Sequence, residues 1–68
     1  PNPAKDFVNI SAGEKIDSAT IYDLTGRIVK RSNPNKEIFN FNISDLSNGV
    51  YLVKLNAGDK ESLIKIIK

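Results

Sequence analysis

The chain has 68 residues, no cysteine and no histidine, and its ten basic and eight acidic residues give a formal net charge of +2. A domain of this size without disulfides or a zinc site depends on its apolar core, which is worth about 3–5 kcal/mol net. Charges of both signs are interspersed, and no apolar run approaches the ~20 residues that a membrane span needs. We therefore expect neither nucleic-acid binding nor membrane insertion.

The chain opens with Pro1-Asn2-Pro3. Proline lacks an amide hydrogen and biases the preceding residue toward extended geometry, so this segment suits neither a helix nor a central strand. We interpret residues 1–5 as the end of a linker and residues 6–68 as one folded domain. Because the first residue is proline and the sequence contains no methionine, we expect the chain to be part of a longer protein.

From Asp6 onward, short β-branched and aromatic runs alternate with clusters of Gly, Asn, Asp, Ser and Pro, a pattern typical of antiparallel all-β domains. Six strands are predicted, at residues 7–10, 19–23, 27–31, 38–42, 50–56 and 62–67. Six strands at this spacing favour a small sandwich of two sheets. Residues 43–46 are predicted to form one helical turn, capped by Ser44 or Asp45.

The turns between these strands carry suitable residues. In Asp23-Leu24-Thr25-Gly26, the aspartate can cap a type I turn and Gly26 can adopt the positive φ that closes a hairpin with a bulge. Asn48-Gly49 precedes the fifth predicted strand. Ala57-Gly58-Asp59 predicts that the last two strands form a hairpin.

Alternation predicts which side chains face the core. The inward sets of the fourth and fifth strands are Phe39, Phe41 and Ile43, and Tyr51, Val53 and Leu55. Tyr51 is interpreted as a core residue whose hydroxyl bonds nearby backbone, the alternative being an anchor for a partner. The last strand is apolar on both faces, which fits either a purely structural strand or an edge that a receptor completes by strand addition.

The sequence offers no pattern of catalytic groups. Acid–base chemistry at neutral pH calls for a histidine or a carboxylate in an apolar pocket, and a nucleophile needs a positioned base. Most of the eight carboxylates fall in turns, where aspartate caps the backbone, and none follows EF-hand spacing. We predict no enzyme activity, no cofactor and no metal centre, with a surface calcium site on loop carboxylates as the minority alternative.

Four segments occur in a characteristic order: Pro1-Asn2-Pro3-Ala4 before an apolar strand, Ile21-Tyr22-Asp23-Leu24-Thr25-Gly26-Arg27-Ile28-Val29, Leu46-Ser47-Asn48-Gly49-Val50-Tyr51-Leu52-Val53-Lys54-Leu55, and a closing run of apolar residues and lysines. Together they resemble the C-terminal sorting domains of the type IX (Por) secretion system of Gram-negative bacteria. Tyr22-Asp23-Leu24 followed by Gly26 is similar to the tyrosine-aspartate turn of the type A domains. Asn48-Gly49-Val50-Tyr51 resembles the family's Gly-x-Tyr motif.

The resemblance implies an immunoglobulin-like antiparallel β-sandwich of six to seven strands, carried behind an N-terminal cargo domain. It implies two partners, an outer-membrane β-barrel shuttle and a sortase-like cysteine protease. The protease would remove the domain and leave the cargo released or attached to the surface. The protein would pass through the periplasm and end at the cell surface or in the medium. We expect the motif and recognition residues to be Gly26, Gly49, Tyr51, Lys65, Ile66, Ile67 and Lys68.

Two other functions remain open at this stage. A carbohydrate- or surface-binding β-sandwich appended to a secreted hydrolase would need a row of exposed aromatic side chains. The chain has three phenylalanines and two tyrosines, and alternation turns several of them inward. A structural spacer or adhesion module with no receptor is the third reading, and deleting such a module would not trap the cargo inside the cell.

Overall fold

The computed structural model describes residues 6–68, so the predicted linker end at residues 1–5 lies outside the described residues. Over this range the chain is all-β, with six strands and no helix. The strands are β1 (Phe7–Ile16), β2 (Ser18–Tyr22), β3 (Ile28–Ser32), β4 (Lys36–Asn42), β5 (Val50–Ala57) and β6 (Lys60–Ile67). All strand pairs are antiparallel. The predicted all-β sandwich class is confirmed, at the six-strand end of the expected range.

The strands form two sheets of unequal size. β1 and β4 make a two-stranded sheet, and the other strands make a four-stranded sheet in the order β3-β2-β5-β6. β2 and β5 are therefore the central strands of the larger sheet, while β3 and β6 are its edges. Residues 43–49 carry the chain from the smaller sheet to the larger one.

The core lies between the inward faces of the two sheets. β5 shows the clearest alternation, because every second residue from Tyr51 to Ala57 is buried. Phe41 packs in the core beside Phe39, with the ring centroids 5.1 Å apart. The buried cluster consists of Val8, Ile10, Ile16, Ala19, Ile21, Phe41, Ile43, Tyr51, Val53, Leu55 and Ile66. The inward sets predicted for the fourth and fifth strands thus belong to this core or pack against it.

β1 is longer than the sequence predicts, since it ends at Ile16 rather than at residue 10. The register with β4 is regular from Phe7 to Ser11 and resumes at Ile16, which pairs with Lys36 after an irregular stretch. Gly13 has a φ of 76° within that stretch. This bulge removes the alternation by which the strand could have been recognised, and the fully buried Ile16 anchors the extension.

The helical turn predicted at residues 43–46 is instead a single hydrogen-bonded turn that does not continue into a helix. The Leu46 amide donates to the Ile43 carbonyl at 3.0 Å, which closes a single turn. The cap is also different, because Asn42 Oδ1 accepts hydrogen bonds from both the amide and the hydroxyl of Ser44. An asparagine at the end of a strand offers the same local hydrogen bond as a helix cap. The Asp45 carboxylate instead pairs with Lys30 at 2.8 Å.

Two isoleucines with opposite exposure test this assignment of the core. Replacing the fully buried Ile21 with alanine should lower the free energy of unfolding by about 2–5 kcal/mol, because it leaves a cavity between the sheets. The same change at Ile38, whose side chain is 68% exposed, should stay within about 0.5 kcal/mol. Urea denaturation followed by circular dichroism measures both variants, and equal losses would contradict the assignment.

Candidate recognition site at the last strand

Among residues 6–68, β6 is an edge strand with a single neighbouring strand, β5. It pairs with β5 along its whole length, from Ala57↔Lys60 to Val50↔Ile67. The two strands are joined by the two-residue loop Gly58-Asp59, in which Gly58 has the positive φ of 63° that the first position of a type II′ turn requires. The predicted hairpin of the last two strands is therefore confirmed, and Asp17 Oδ2 holds its loop by accepting a hydrogen bond from the Gly58 amide at 2.9 Å.

The pair that follows the end of β6 shows which backbone groups of the strand bond to β5. Gly49 and Lys68 exchange two backbone hydrogen bonds, of 3.0 and 2.8 Å. Hydrogen-bonded and non-hydrogen-bonded pairs alternate along an antiparallel ladder, so even-numbered residues of β6 bond to β5. The backbone groups of Glu61, Leu63 and Lys65 consequently point away from β5, toward the open edge.

The side chain of Lys68 fastens this strand to the connection between the sheets. Its Nζ donates hydrogen bonds to three backbone carbonyls, those of Ile43 at 2.8 Å, Ser44 at 3.1 Å and Leu46 at 2.6 Å. A carbonyl oxygen has two lone pairs, so each of these carbonyls can accept a hydrogen bond from the ammonium group, including that of Ile43, which already accepts one from the Leu46 amide. Lys68 therefore ties the end of β6 both to Gly49, through the backbone, and to the turn after β4.

Two motif residues lie next to this strand end, Tyr51 in β5 and Gly49 directly before β5. Tyr51 is buried, and its hydroxyl donates to the Ser47 carbonyl at 2.6 Å. This is the predicted core placement with the hydroxyl bonded to nearby backbone. Tyr51 also pairs with Ile66, whose side chain is buried in the core, and Gly49 pairs with Lys68.

The remaining predicted site residues have different surroundings. Lys65 is exposed and pairs with Leu52 across the β5–β6 ladder, and the side chain of Ile67 is 36% exposed. Gly26 is separated from β6, because it lies in the turn between β2 and β3. The structure thus brings Gly49, Tyr51 and residues 65–68 to one strand end and leaves Gly26 apart. Sequence reasoning did not foresee the three carbonyl acceptors of Lys68, which lie more than twenty residues away along the chain.

Gly26 closes the turn that the sequence predicted. Its φ is 87°, and its amide donates to the Asp23 carbonyl at 3.0 Å. Asp23 Oδ1 accepts hydrogen bonds from the Thr25 hydroxyl, the Thr25 amide and the Arg27 amide. These bonds, with that from the Thr25 hydroxyl foremost, hold the pKa of Asp23 below its usual range. The β2–β3 register also shifts between Ile21 and Tyr22, where β3 has one extra residue, Val29.

A second surface feature lies at the opposite end of β6. A groove of about 320 Å³ separates the β1 bulge from the β5–β6 hairpin and has the Glu14–Lys60 ion pair, at 3.3 Å, on its rim. Within residues 6–68, no group of three or more carboxylate, histidine or cysteine side chains is placed to hold a metal ion. The same range contains no helix that is long and apolar enough to cross a membrane.

The fold and the site define a small β-sandwich whose last strand is an open edge with a fastened end. A family model described as the secretion system C-terminal sorting domain matches residues 1–68. The chain therefore belongs to the C-terminal sorting domains of the type IX secretion system. Neither a curated protein nor a solved structure is found to match it.

Membership in this family defines the general role. The domain is a sorting signal for type IX secretion, and it acts with that system and with a cargo region N-terminal to it. The protein that carries it is secreted or located at the cell surface, and passes the outer membrane.

Two lysines, Lys65 in β6 and Lys68 directly after it, test whether the Lys68 side chain holds the strand end in place. Lys68→Met should lower the free energy of unfolding by about 1.5–3 kcal/mol, because three carbonyls lose a charged donor. Lys65→Met removes an exposed ammonium and should change it by less than about 0.5 kcal/mol. Urea denaturation compares the two variants, and an equally small effect of both would show that Lys68 does not fasten the strand.

The lowered pKa of Asp23 predicts a dependence of stability on pH. The carboxylate stabilises the folded state fully above its unfolded pKa of about 3.9, and this contribution disappears as the pH falls through the lower folded pKa. The wild type should therefore lose more stability between neutral pH and the acid range below about 3.9 than Asp23→Asn does. Denaturation at a series of pH values tests this, with Asp59→Asn in the exposed β5–β6 loop as the matched control. Parallel curves for Asp23→Asn and wild type would refute it.

Proposed function

We propose that the type IX machinery recognises this domain by adding a strand to the open edge of β6, next to the fastened end formed by Lys68. The observation that carries the proposal is the alternation of backbone hydrogen bonds along β6, in which even-numbered residues bond to β5 and odd-numbered residues face the edge. Its hydrogen bonds to β5 leave the backbone groups of Glu61, Leu63 and Lys65 directed outward. Outward groups on an edge strand are a template for pairing with another chain.

Recognition through the backbone suits a signal that serves different cargo proteins. The main-chain hydrogen bonds supply affinity whatever the cargo is, and alternate side chains supply specificity. In this proposal Lys65 and Ile67 provide the side-chain contacts, while Ile66 holds the strand to the core and Lys68 fixes its end. Gly26, Gly49 and Tyr51 maintain the shape of the turns and of the neighbouring strand.

The receiving partner in this proposal is an outer-membrane β-barrel shuttle, which carries the domain and its N-terminal cargo out of the periplasm. A sortase-like cysteine protease then cuts upstream of the folded domain, near or before Pro1. The cargo is released or attached to the cell surface after this cut. A cut at that position would leave the whole sandwich from β1 to β6 intact, which separates the sorting signal from the processing site.

The carbohydrate-binding alternative finds little support in the placement of the aromatic side chains. Among the described residues, Phe41 and Tyr51 are buried and Tyr22 and Phe39 are half-buried. Phe7 is exposed by 56%, but no second exposed aromatic ring accompanies it. A sugar platform needs several exposed rings on one face, so the sorting function is favoured.

Export of a reporter tests the edge-recognition proposal. Residues 1–68 are fused behind a periplasm-directed fluorescent protein in a strain with a type IX system. Leu63→Pro removes one outward amide without removing a β5–β6 hydrogen bond, so the exported fraction should fall about fivefold, the equivalent of one hydrogen bond of about 1 kcal/mol. Leu63→Ala removes the same side chain but keeps the amide, and should be exported several-fold better than the proline variant.

A second comparison establishes the need for the strand itself. The fusion that lacks residues 63–68 should remain in the periplasm. If the intact fusion also remains there with its domain folded, the sorting proposal fails. If Leu63→Pro and Leu63→Ala are exported equally, the signal is active but is not recognised through the edge of β6.

A further inference from the structure

Apolar side chains also lie at the centre of the outer face of the four-stranded sheet, on the side that points away from the core. The cross-strand register places Tyr22 beside Ile28 on one side and beside Leu52 on the other. Val50 follows on the same face of β5 and pairs with Ile67. These five side chains are half-buried or exposed, with Ile28 at 53%. They form a continuous apolar strip across all four strands.

Three cations flank this strip on the same face. Arg31 and Lys54 are the two cross-strand neighbours of Thr20, and Lys65 is the neighbour of Leu52. Thr20 faces outward but is only 5% exposed, because long basic side chains cover it with their aliphatic stems. Lys54 is paired with Glu61 at 3.2 Å, whereas no ion pair to Arg31 or Lys65 is present within residues 6–68.

The outer face of the two-stranded sheet has a different character. The pairs Phe7↔Asn42, Asn9↔Asn40 and Ser11↔Ile38 point outward there, and none of these side chains is charged. The two outer surfaces of the sandwich are therefore chemically distinct. Along these three pairs the first surface is uncharged and rich in amides, whereas the other combines an apolar strip with a surplus of positive charge.

We infer that the outer face of the four-stranded sheet docks on a protein surface in which carboxylates surround an apolar centre, on a component of the secretion machinery. The inference rests on the proposed sorting function and adds a second contact surface beside the edge of β6. Charge complementarity indicates the acidic partner, because no carboxylate of residues 6–68 forms an ion pair with Arg31 or Lys65. An apolar centre with a charged rim is also the usual anatomy of a protein interface.

The charge pattern favours a protein partner over an anionic membrane. Asp59 and Glu61 lie at the hairpin end of the same sheet, and Glu61 already neutralises Lys54. A membrane surface of uniform negative charge would repel these carboxylates. A protein surface can instead place a cation opposite each carboxylate and a carboxylate opposite each cation. Rigid strands also present the strip at fixed spacing, which suits a shape-complementary partner.

Photo-crosslinking of the exported fusion tests which face makes contact. A benzophenone amino acid replaces either Ile28, on the proposed face, or Phe7, on the neutral face; the two native side chains are exposed by 53% and 56%. Ile28 lies on β3, at the edge farthest from β6, so its adducts do not report on edge pairing. The expected result is an adduct from position 28, identified by mass spectrometry as a type IX component, and none from position 7.

Charge reversal supplies the second readout. Arg31→Glu should lower both the exported fraction and the position-28 adduct about tenfold, since like charges oppose docking, and it leaves Lys65, a contact of the proposed edge recognition, unchanged. Lys36→Glu changes the net charge equally but lies on β4, and should leave both unchanged. Urea unfolding midpoints equal to that of the wild type confirm that the variants remain folded.

Four results would overturn the inference. The first is wild-type export of the Arg31→Glu fusion while the edge variant Leu63→Pro is impaired, which would leave the sorting proposal intact. The second is an equally strong adduct from position 7. The third is co-sedimentation of the purified fusion with phosphatidylglycerol vesicles, lost in the Arg31→Glu variant, which would identify a membrane contact instead. The fourth is retention of the wild-type fusion in the periplasm, which would overturn the sorting proposal as well.

Discussion

Strand β5 is the element on which both the core and the candidate site depend. It has a neighbour on each side, and its inward residues Tyr51, Val53 and Leu55 are buried. A chain of this size has few apolar side chains with which to cover a sheet. Within residues 6–68 it therefore encloses β5 but leaves β6 with one partner strand and with Ile66 as its only fully buried side chain. The open edge is a consequence of the size of the domain.

The end of β6 is held in place by hydrogen bonds, and its outward backbone groups remain accessible to a partner. Lys68 and Gly49 fix the strand end through backbone and side-chain hydrogen bonds, so that β6 remains ordered although it lies at an edge. The same ladder parity directs alternate amides outward. A preordered strand loses less conformational entropy when a partner binds it, which makes it a better template than a flexible tail. Fold and recognition thus depend on the same few residues.

Local rules account for what the sequence could predict. Asp23 and Gly26 specify their turn through one carboxylate and one positive φ, and alternation in β5 specifies its inward face. The end of β1 could not be predicted, because the bulge around Gly13 breaks the alternation before Ile16 restores the pairing. The contacts of Lys68 could not be predicted either, since they depend on how two sheets meet. The basic outer face required the cross-strand register, which sequence spacing does not give.

Backbone hydrogen exchange measured by NMR tests the central claim most directly, because it observes the open edge itself. In the free domain, the amides of Ile64, Ile66 and Lys68 should exchange slowly and those of Glu61, Leu63 and Lys65 should exchange fast. Addition of the outer-membrane shuttle protein should slow the exchange of the second set, as expected if a partner strand pairs with β6. Fast exchange of Leu63 and Lys65 in the saturated complex would contradict recognition through this edge.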